Sequence, residues 1–301
     1  MKEYLKKYSK VPIEEYPNHV TDKPLVSVCI QTYQHAKYIR DCLNGILMQD
    51  TSFDYEILLG EDNSTDGTRE ICIEFAKRFP DKIRLFLHSR KNNITINGSP
   101  TGRYNLITNL VNSRGKYIAL CEGDDYWTDM NKLQIQVDFL EQNSDYSICF
   151  HDVKIYKEEE KRTVDDYITK DVNSSTTIYD LAEGNYIHTP SVVYRNGVFN
   201  NLPSVFFKVQ AADYFLHMLA ARRGWIKKIP REMAVYRVHG DSFWSNRSKK
   251  DAILSYLDIM VDYFEDEKIV ELLRKRKRKI RRNSLLFYRI INKLIRILRN
   301  K

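Results

Sequence analysis

Between residues 24 and 157, short apolar runs alternate with amphipathic ones, and this alternation limits the chain to one class of fold. "PLVSVCIQTY" (24–33), "DYEILLGE" (54–61), "KIRLFLH" (82–88), "KYIALCEGDD" (116–125) and "DYSICFHDVKIY" (145–156) read as strands. "AKYIRDCLNGILMQ" (36–49), "DGTREICIEFAKRF" (66–79), "RYNLITNLVNSR" (103–114) and "DMNKLQIQVDFLEQN" (129–143) have helical spacing, as with Ile39, Leu43, Ile46 and Leu47 in the first. The order β-α-β-α-β-α-β-α-β predicts an α/β fold, a mixed, mainly parallel sheet flanked by helices. Right-handed crossovers place every strand-to-helix loop on one edge, where such sheets bind ligands. Three polar clusters are expected to converge there: "QTYQH" (31–35), "GEDNSTDG" (60–67) and "CEGDDYW" (121–127).

Composition narrows the class further. A chain of 301 residues that is 43% hydrophobic and 12% aromatic can bury a large core and is not disordered. No apolar stretch reaches the length of a membrane span, and the first residues, "MKEYLKKYSKVPIEEYP", lack the apolar segment of a signal peptide. Residues 1–24, polar and with three prolines, are expected to be a leader outside the core. The five scattered cysteines predict reduced, buried thiols in a cytoplasmic protein. The net charge of +8 is unevenly spread: residues 268–301 hold 14 basic side chains and one acid, a balance of +13. The remaining chain, with 34 basic and 39 acidic side chains, stands at −5, which argues against a nucleic-acid-binding body.

Three carboxylates, Glu122, Asp124 and Asp125, fall within four positions at a strand end. They repel one another unless a positive charge lies between them. Acids in such a place can simply cap the next helix or face solvent. Here Gly123 lets the backbone approach closely, and a hard divalent cation, Mg²⁺ or Mn²⁺, takes one or two carboxylates plus substrate phosphates. Asp62, ending an apolar strand, can accept hydrogen bonds from a base or ribose, whereas Asp66 reads as a helix cap. Thr32 offers a hydrogen-bonding group and Tyr33 a ring that can stack on a base.

Residues 157–177 are expected to form a mobile charged loop. Beyond them come "GNYIHTPSVVYRN", a helix "QAADYFLHMLAARRG" and a strand "MAVYRVHGDSFWS" that opens into a polar loop. In the last, His239 can complete a metal site and Arg237 can hold phosphate oxygens. Trp127 and Trp244 suit a lid or a sugar-stacking wall, with the core as the other place for Trp127, and His188 suits the acceptor side. His35, His88, His151 and His217 receive no role.

"VSVCIQTYQHAKYI", "YEILLGEDNSTDGT" and "GKYIALCEGDDYWTDMNKLQIQVDFLE" together resemble the family-2 glycosyltransferases of GT-A fold, most of all bacterial members that build surface or capsular polysaccharides. The resemblance is strong over 24–155 and extends to about 246 through "HTPSVVYRN", "AADYFLHMLAARRGWIKKI" and "MAVYRVHGDSFWS". It implies a nucleotide-sugar donor, UDP- or dTDP-linked, a divalent metal, and inverting transfer to a glycan or lipid-linked acceptor. It implies that Thr32, Tyr33 and Asp62 hold the nucleoside, with Arg90 or Arg103 near the nucleotide. Glu122-Gly123-Asp124 stands in place of the family's D-x-D, with Asp124 on the metal. The Glu departs from that pattern and is expected at the donor diphosphate or ribose, and Asp125 at the donor sugar. Asp213 matches the catalytic base. Read from its residues alone, Asp213 also suits an acid interacting with a helix dipole.

The expected domains are the leader, a catalytic unit over 25–246 (nucleotide half 25–155, acceptor and base half 156–246), and a helical basic extension over 247–301. In its tail, "RKRKRKIRR" precedes "NSLLFYRIINKLIRILRNK", where basic residues 289, 293, 296 and 299 face aliphatic ones. Such a helix suits an anionic membrane surface at the inner face of the cell membrane. The alternatives are packing on the catalytic unit, pairing with a subunit, or nucleic acid. The oligomeric state stays open. A non-catalytic nucleotide-sugar-binding scaffold competes with the enzyme, although Asp124 and Asp213 are both present.

Overall fold

The computed structural model describes residues 2–96, 98–199, 201–240 and 249–282. The chain opens with helix α1 (Lys2–Tyr8) and a short strand β1 (Glu14–Glu15). There follow β2 (Val26–Thr32), α2 (Ile39–Leu47), β3 (Tyr55–Glu61), α3 (Thr68–Arg78) and β4 (Ile83–Leu87). An antiparallel pair, β5 (Ile94–Ile96) and β6 (Ser99–Thr101), precedes α4 (Arg103–Asn112), β7 (Tyr117–Glu122), β8 (Tyr126–Trp127), α5 (Lys132–Gln142) and β9 (Tyr146–Lys157). The second half holds β10 (Arg162–Asp165), β11 (Ser175–Thr176), α6 (Ile178–Glu183), β12 (Val193–Arg195), α7 (Ala212–Ala221), β13 (Trp225–Val238) and α8 (Lys249–Tyr263), and a last helix covers 267–282.

Among the described residues the main sheet runs β1-β4-β3-β2-β7-β12-β9-β13-β11. Strands β4, β3, β2 and β7 are mutually parallel, and β13 is parallel to β9. Strand β12 is antiparallel to both β7 and β9, so it joins the two halves with their carboxyl ends on one edge. Every residue of β2 and β3 is buried, as a central strand covered on both faces requires. Alternate residues feed opposite cores. Val28, Ile30, Ile57, Leu59, Ala119 and Cys121 pack with α2, α3 and α5, whereas Cys29, Leu58, Ile118 and Leu120 pack with α4, α6, α7 and α8. Two amides of α4 lock that helix to the sheet: Asn105 Nδ2 donates to the Gly60 carbonyl (2.7 Å) and Asn109 Nδ2 to the Ile30 carbonyl (2.9 Å). Gly60 is needed there, since a Cβ at that position would meet Asn105 Oδ1 at 1.7 Å.

Three expectations change. Residues 1–24 do not stand apart: β1 pairs with β4 on the sheet edge, and Leu5, Tyr8 and Ile13 pack on the core. The stretch 157–177 is not only loop, because β10 folds back on β9 and β11 pairs with β13. The described part of the basic extension is built into the molecule, with Tyr256, Leu257, Met260 and Leu273 in the same core as α7. The amphipathic residues 283–301 lie outside the described residues, as do Trp244 and its loop. All five cysteines are buried and free.

Candidate active site

Register places the polar clusters together. Gln31 is level with Glu122 across β2 and β7, and Thr32 with Glu61 across β2 and β3. The carboxyl ends of these strands therefore present Thr32, Tyr33, Asp62 and the turn 122–125 side by side, as the alternation predicted.

The nucleoside side is organised by buried acids. Glu61 is fully buried and shapes the turn after β3, accepting from the backbone N–H of Asn63 (3.2 Å) and Ser64 (2.6 Å) and pairing with Arg69. This frees its neighbour Asp62 to face the edge. Asp62 Oδ2 accepts from Arg90 Nη1 (2.8 Å) and Asn93 Nδ2 (3.0 Å), while its buried Oδ1 has no partner among the described residues. Burial pushes the Asp62 carboxyl up against the pull of Asn93 and Arg90. The Arg90 guanidinium lies 3.8 Å from the centroid of the half-exposed Tyr33 ring. Of the two arginines expected near the nucleotide, Arg90 is at this end. Arg103 is not: it is buried under the loop before α7.

The acidic turn is held from several sides. Gly123 fits beneath Thr32 and His35, where a Cβ would meet Thr32 Oγ1 at 2.6 Å and His35 Nδ1 at 2.9 Å. Thr32 Oγ1 is itself buried and unpartnered. Asp124 Oδ2 lies 3.0 Å from His239 Nε2 and 3.9 Å from His35 Nε2. Burial raises the Asp124 carboxyl, but the His239 hydrogen bond and the two imidazoles prevail, and its pKa falls below the usual range. Glu122 is pushed up to about 8 by burial, then by the charges of Asp124 and Asp213. Asp125 accepts from the backbone N–H of Arg237 (2.8 Å), leaves Oδ2 buried with no partner among the described residues, and is raised well above the carboxylate range by burial and by Asp124.

Arg237, expected at the donor phosphates, braces the acidic turn. Its Nε donates to the Asp124 carbonyl (2.8 Å), Nη1 to Glu158 (3.1 Å) and Nη2 to Asp41 (2.9 Å). Tyr38, Tyr126 and Tyr156 surround the guanidinium at 4.7–5.3 Å. His35, left without a role, joins His239 beside Asp124. It sits after Gln34, whose positive φ of 57° turns the chain back toward the site, a backbone detour that no periodicity reveals. Trp127 belongs to the core, its Nε1 donating to the Pro190 carbonyl (2.8 Å). His188 pairs with Asp166 (2.9 Å) and lies tilted against the Tyr236 ring (centroids 4.9 Å apart), whose hydroxyl pKa is raised first by burial and then by the charges of Asp125, Asp124, Asp213 and Glu122.

Asp213 lies in the first turn of α7, and its charge acts on Glu122 at the end of β7. The base candidate therefore lies close enough to the acidic turn for their charges to interact.

The donor set suits a hard divalent cation. Among the described residues no three His, Cys, Asp or Glu side chains form a ready cage. Mg²⁺ and Mn²⁺ sites that serve phosphates do not need one, since substrate oxygens and waters fill the remaining positions. Asp124 Oδ2 and His239 Nε2 stand 3.0 Å apart. With substrate oxygens completing its coordination, a divalent cation would be held by Asp124 and His239. Among the described residues, neither His239 Nδ1 nor His35 Nδ1 has a partner.

Comparison with known proteins agrees with this geometry. The family model described as glycosyl transferase family 2 matches residues 27–229. The chain belongs to that family. An uncharacterized protein of Mycobacterium tuberculosis is 35% identical over 220 residues, covering 73% of this chain and 60% of that protein, so the chain spans less than two thirds of that relative's length. Among solved structures, S. aureus TarS 1–349 in complex with UDP-GlcNAc superposes with a TM-score of 0.61 at 17% identity, over 83% of this chain and 71% of that one. The mannosyltransferase PcManGT of Pyrobaculum calidifontis, in complex with GDP-Man and Mn²⁺, gives 0.60 at 16% identity, over 91% and 75%. These likenesses establish the GT-A fold of this family-2 chain.

Proposed function

We propose that this family-2 chain transfers a sugar, with inversion, from a UDP- or dTDP-sugar to a hydroxyl of a glycan or lipid-linked acceptor in surface polysaccharide biosynthesis. One observation carries the reading: Asp213 lies within electrostatic reach of Glu122, the acid that opens the turn holding Asp124 and His239. A base and a phosphate-handling turn then flank the same space.

In this reading Asp62 and Thr32 hold the nucleoside, and Tyr33 with Arg90 packs against its base. Asp124 and His239 would hold a divalent cation, which would supply positive charge to offset the charge growing on the departing diphosphate. Glu122 and Asp125 face the donor sugar and diphosphate. Arg237 fixes the backbone of the turn rather than touching phosphate. Asp213 takes the proton of the acceptor hydroxyl as its oxygen bonds to the anomeric carbon. On the opposite face the bond from that carbon to the diphosphate oxygen breaks, and the oxygen leaves with the electron pair. The transition state has oxocarbenium character, as in glycoside cleavage.

The catalytic unit is assigned to 25–246. Placement on the inner face of a membrane is supported by the exposed cations of helix 267–282, among them Arg274, Lys275, Arg278, Lys279, Arg281 and Arg282. No helix among the described residues is long and apolar enough to cross a bilayer.

The test is a panel of UDP-, dTDP- and GDP-sugars assayed for binding and hydrolysis with Mg²⁺, with Mn²⁺ and with chelator. Binding and slow hydrolysis of a UDP- or dTDP-sugar that disappear with chelator support the reading. Metal-dependent binding without hydrolysis or transfer to any acceptor would instead support the scaffold.

A further inference from the structure

We propose that Arg103 is a positioning residue for transfer: from the start of α4 it fixes the loop that delivers Asp213. This rests on the reading of Asp213 as the base.

Arg103 is 3% exposed. Its Nη1 donates to the Phe206 carbonyl (2.8 Å), and its Nη2 to the carbonyls of Val209 (2.5 Å) and Gln210 (3.3 Å). The guanidinium lies 4.3 Å from the Phe206 ring centroid. Every one of these acceptors lies in the few residues before α7, whose second residue is Asp213. A planar fork can hold several carbonyls at once, which a lysine ammonium on a flexible stem cannot reproduce.

Carbonyls satisfy the hydrogen bonds of a buried guanidinium but do not balance its charge. Among the described residues, no carboxylate lies within ion-pair distance of Arg103. The carboxylate whose charge supports it is Asp213, against a desolvation that draws its pKa down to about 9. The guanidinium thus meets three carbonyls of the base-bearing loop, those of Phe206, Val209 and Gln210.

The test compares wild type, R103K, R103M, D213N and the double variant R103K/D213N in the full chain. Donor affinity is read as UDP Kd by titration calorimetry with Mn²⁺, turnover as kcat and KM, and folding as Tm. We expect R103K to keep UDP Kd within about twofold and lose about tenfold or more in kcat, because small misplacements of a reacting group have effects of that size. R103M should lose more. Adding R103K to D213N should lower the residual rate little, because the two residues act as a unit.

Wild-type kcat in folded R103K, with D213N inactive, overturns the role of Arg103 alone. Wild-type transfer by D213N overturns the base assignment and this proposal with it. Equal losses in kcat and UDP affinity with a lowered Tm in R103K, or full additivity in the double variant, mark Arg103 as a general structural residue and overturn the proposal. If R103M fails to fold, R103K, which keeps the charge, carries the comparison.

Discussion

At the scale of single residues, the site depends on close backbone approach and on shared protons. A side chain at position 123 would press on Thr32 and His35 within 3 Å, so Gly123→Ala must shift both. The expected cost is about 1–3 kcal/mol, as for overpacking elsewhere, together with weaker donor binding. Chemical denaturation and UDP titration on the variant measure both. His239→Ala should leave the fold intact and weaken Mn²⁺ affinity in the presence of UDP by about tenfold or more, as removal of one metal-site group does. Unchanged Mn²⁺ affinity would remove His239 from the metal set. Asp62, Glu122, Asp124 and Asp213 were legible in the sequence because strand ends and one turn of helix fix where they lie. His35 and the brace formed by Arg237 were not. Their places depend on a left-handed backbone turn at Gln34 and on partners, Asp41 and Glu158, that are distant in sequence.

At the scale of elements, the alternating strands and helices were readable because both faces of the sheet are covered and each strand is a nearly unbroken apolar run. The elements that escaped reading, β1, β10 and β11, are short edge pieces with exposed, charged or polar side chains, set by their partners rather than by their own pattern. Helix α5 carries one departure from the apolar pattern that has a measurable result. Lys132 is fully buried, its Nζ 2.8 Å from Gln136 Oε1 and 3.9 Å from the centroid of the Trp127 ring. Burial draws its pKa down to about 7 from 10.5, against the pull of Cys121 and Cys149. Between these values the unfolded chain binds the proton that the folded chain has released. Stability from this residue therefore rises with pH from about 7 toward 10.5, by up to about 1.4 kcal/mol per pH unit, and is absent below 7. Lys132→Met should remove that slope. Denaturation midpoints of wild type and variant at pH 6, 7, 8 and 9, on the order of four points, give it by difference. Parallel curves would show that Lys132 does not titrate in this window.

At the scale of the whole molecule, the sheet brings two halves to one edge: parallel strands that end at Thr32, Asp62 and the turn 122–125, and the strand and helix that lead to His239 and carry Asp213. Charge is divided in the same spirit, with a mildly acidic body and a basic end. Changing Arg274, Lys275, Arg278 and Lys279 to Gln should weaken binding to vesicles containing phosphatidylserine by on the order of 1 kcal/mol per residue, and added salt should weaken the wild type in the same direction. Salt-independent vesicle binding would exclude the electrostatic account. The central claim is a division of labour, in which Asp124 holds the donor through a cation and Asp213 removes the acceptor proton. Its most direct test is UDP-sugar binding measured with and without Mn²⁺ beside turnover, for Asp124→Ala and Asp213→Asn. The account predicts that Asp124→Ala loses the Mn²⁺-dependent part of binding, whereas Asp213→Asn binds like the wild type and turns over at least about a hundredfold more slowly. Mn²⁺-dependent binding that survives Asp124→Ala, or turnover that survives Asp213→Asn, would contradict it.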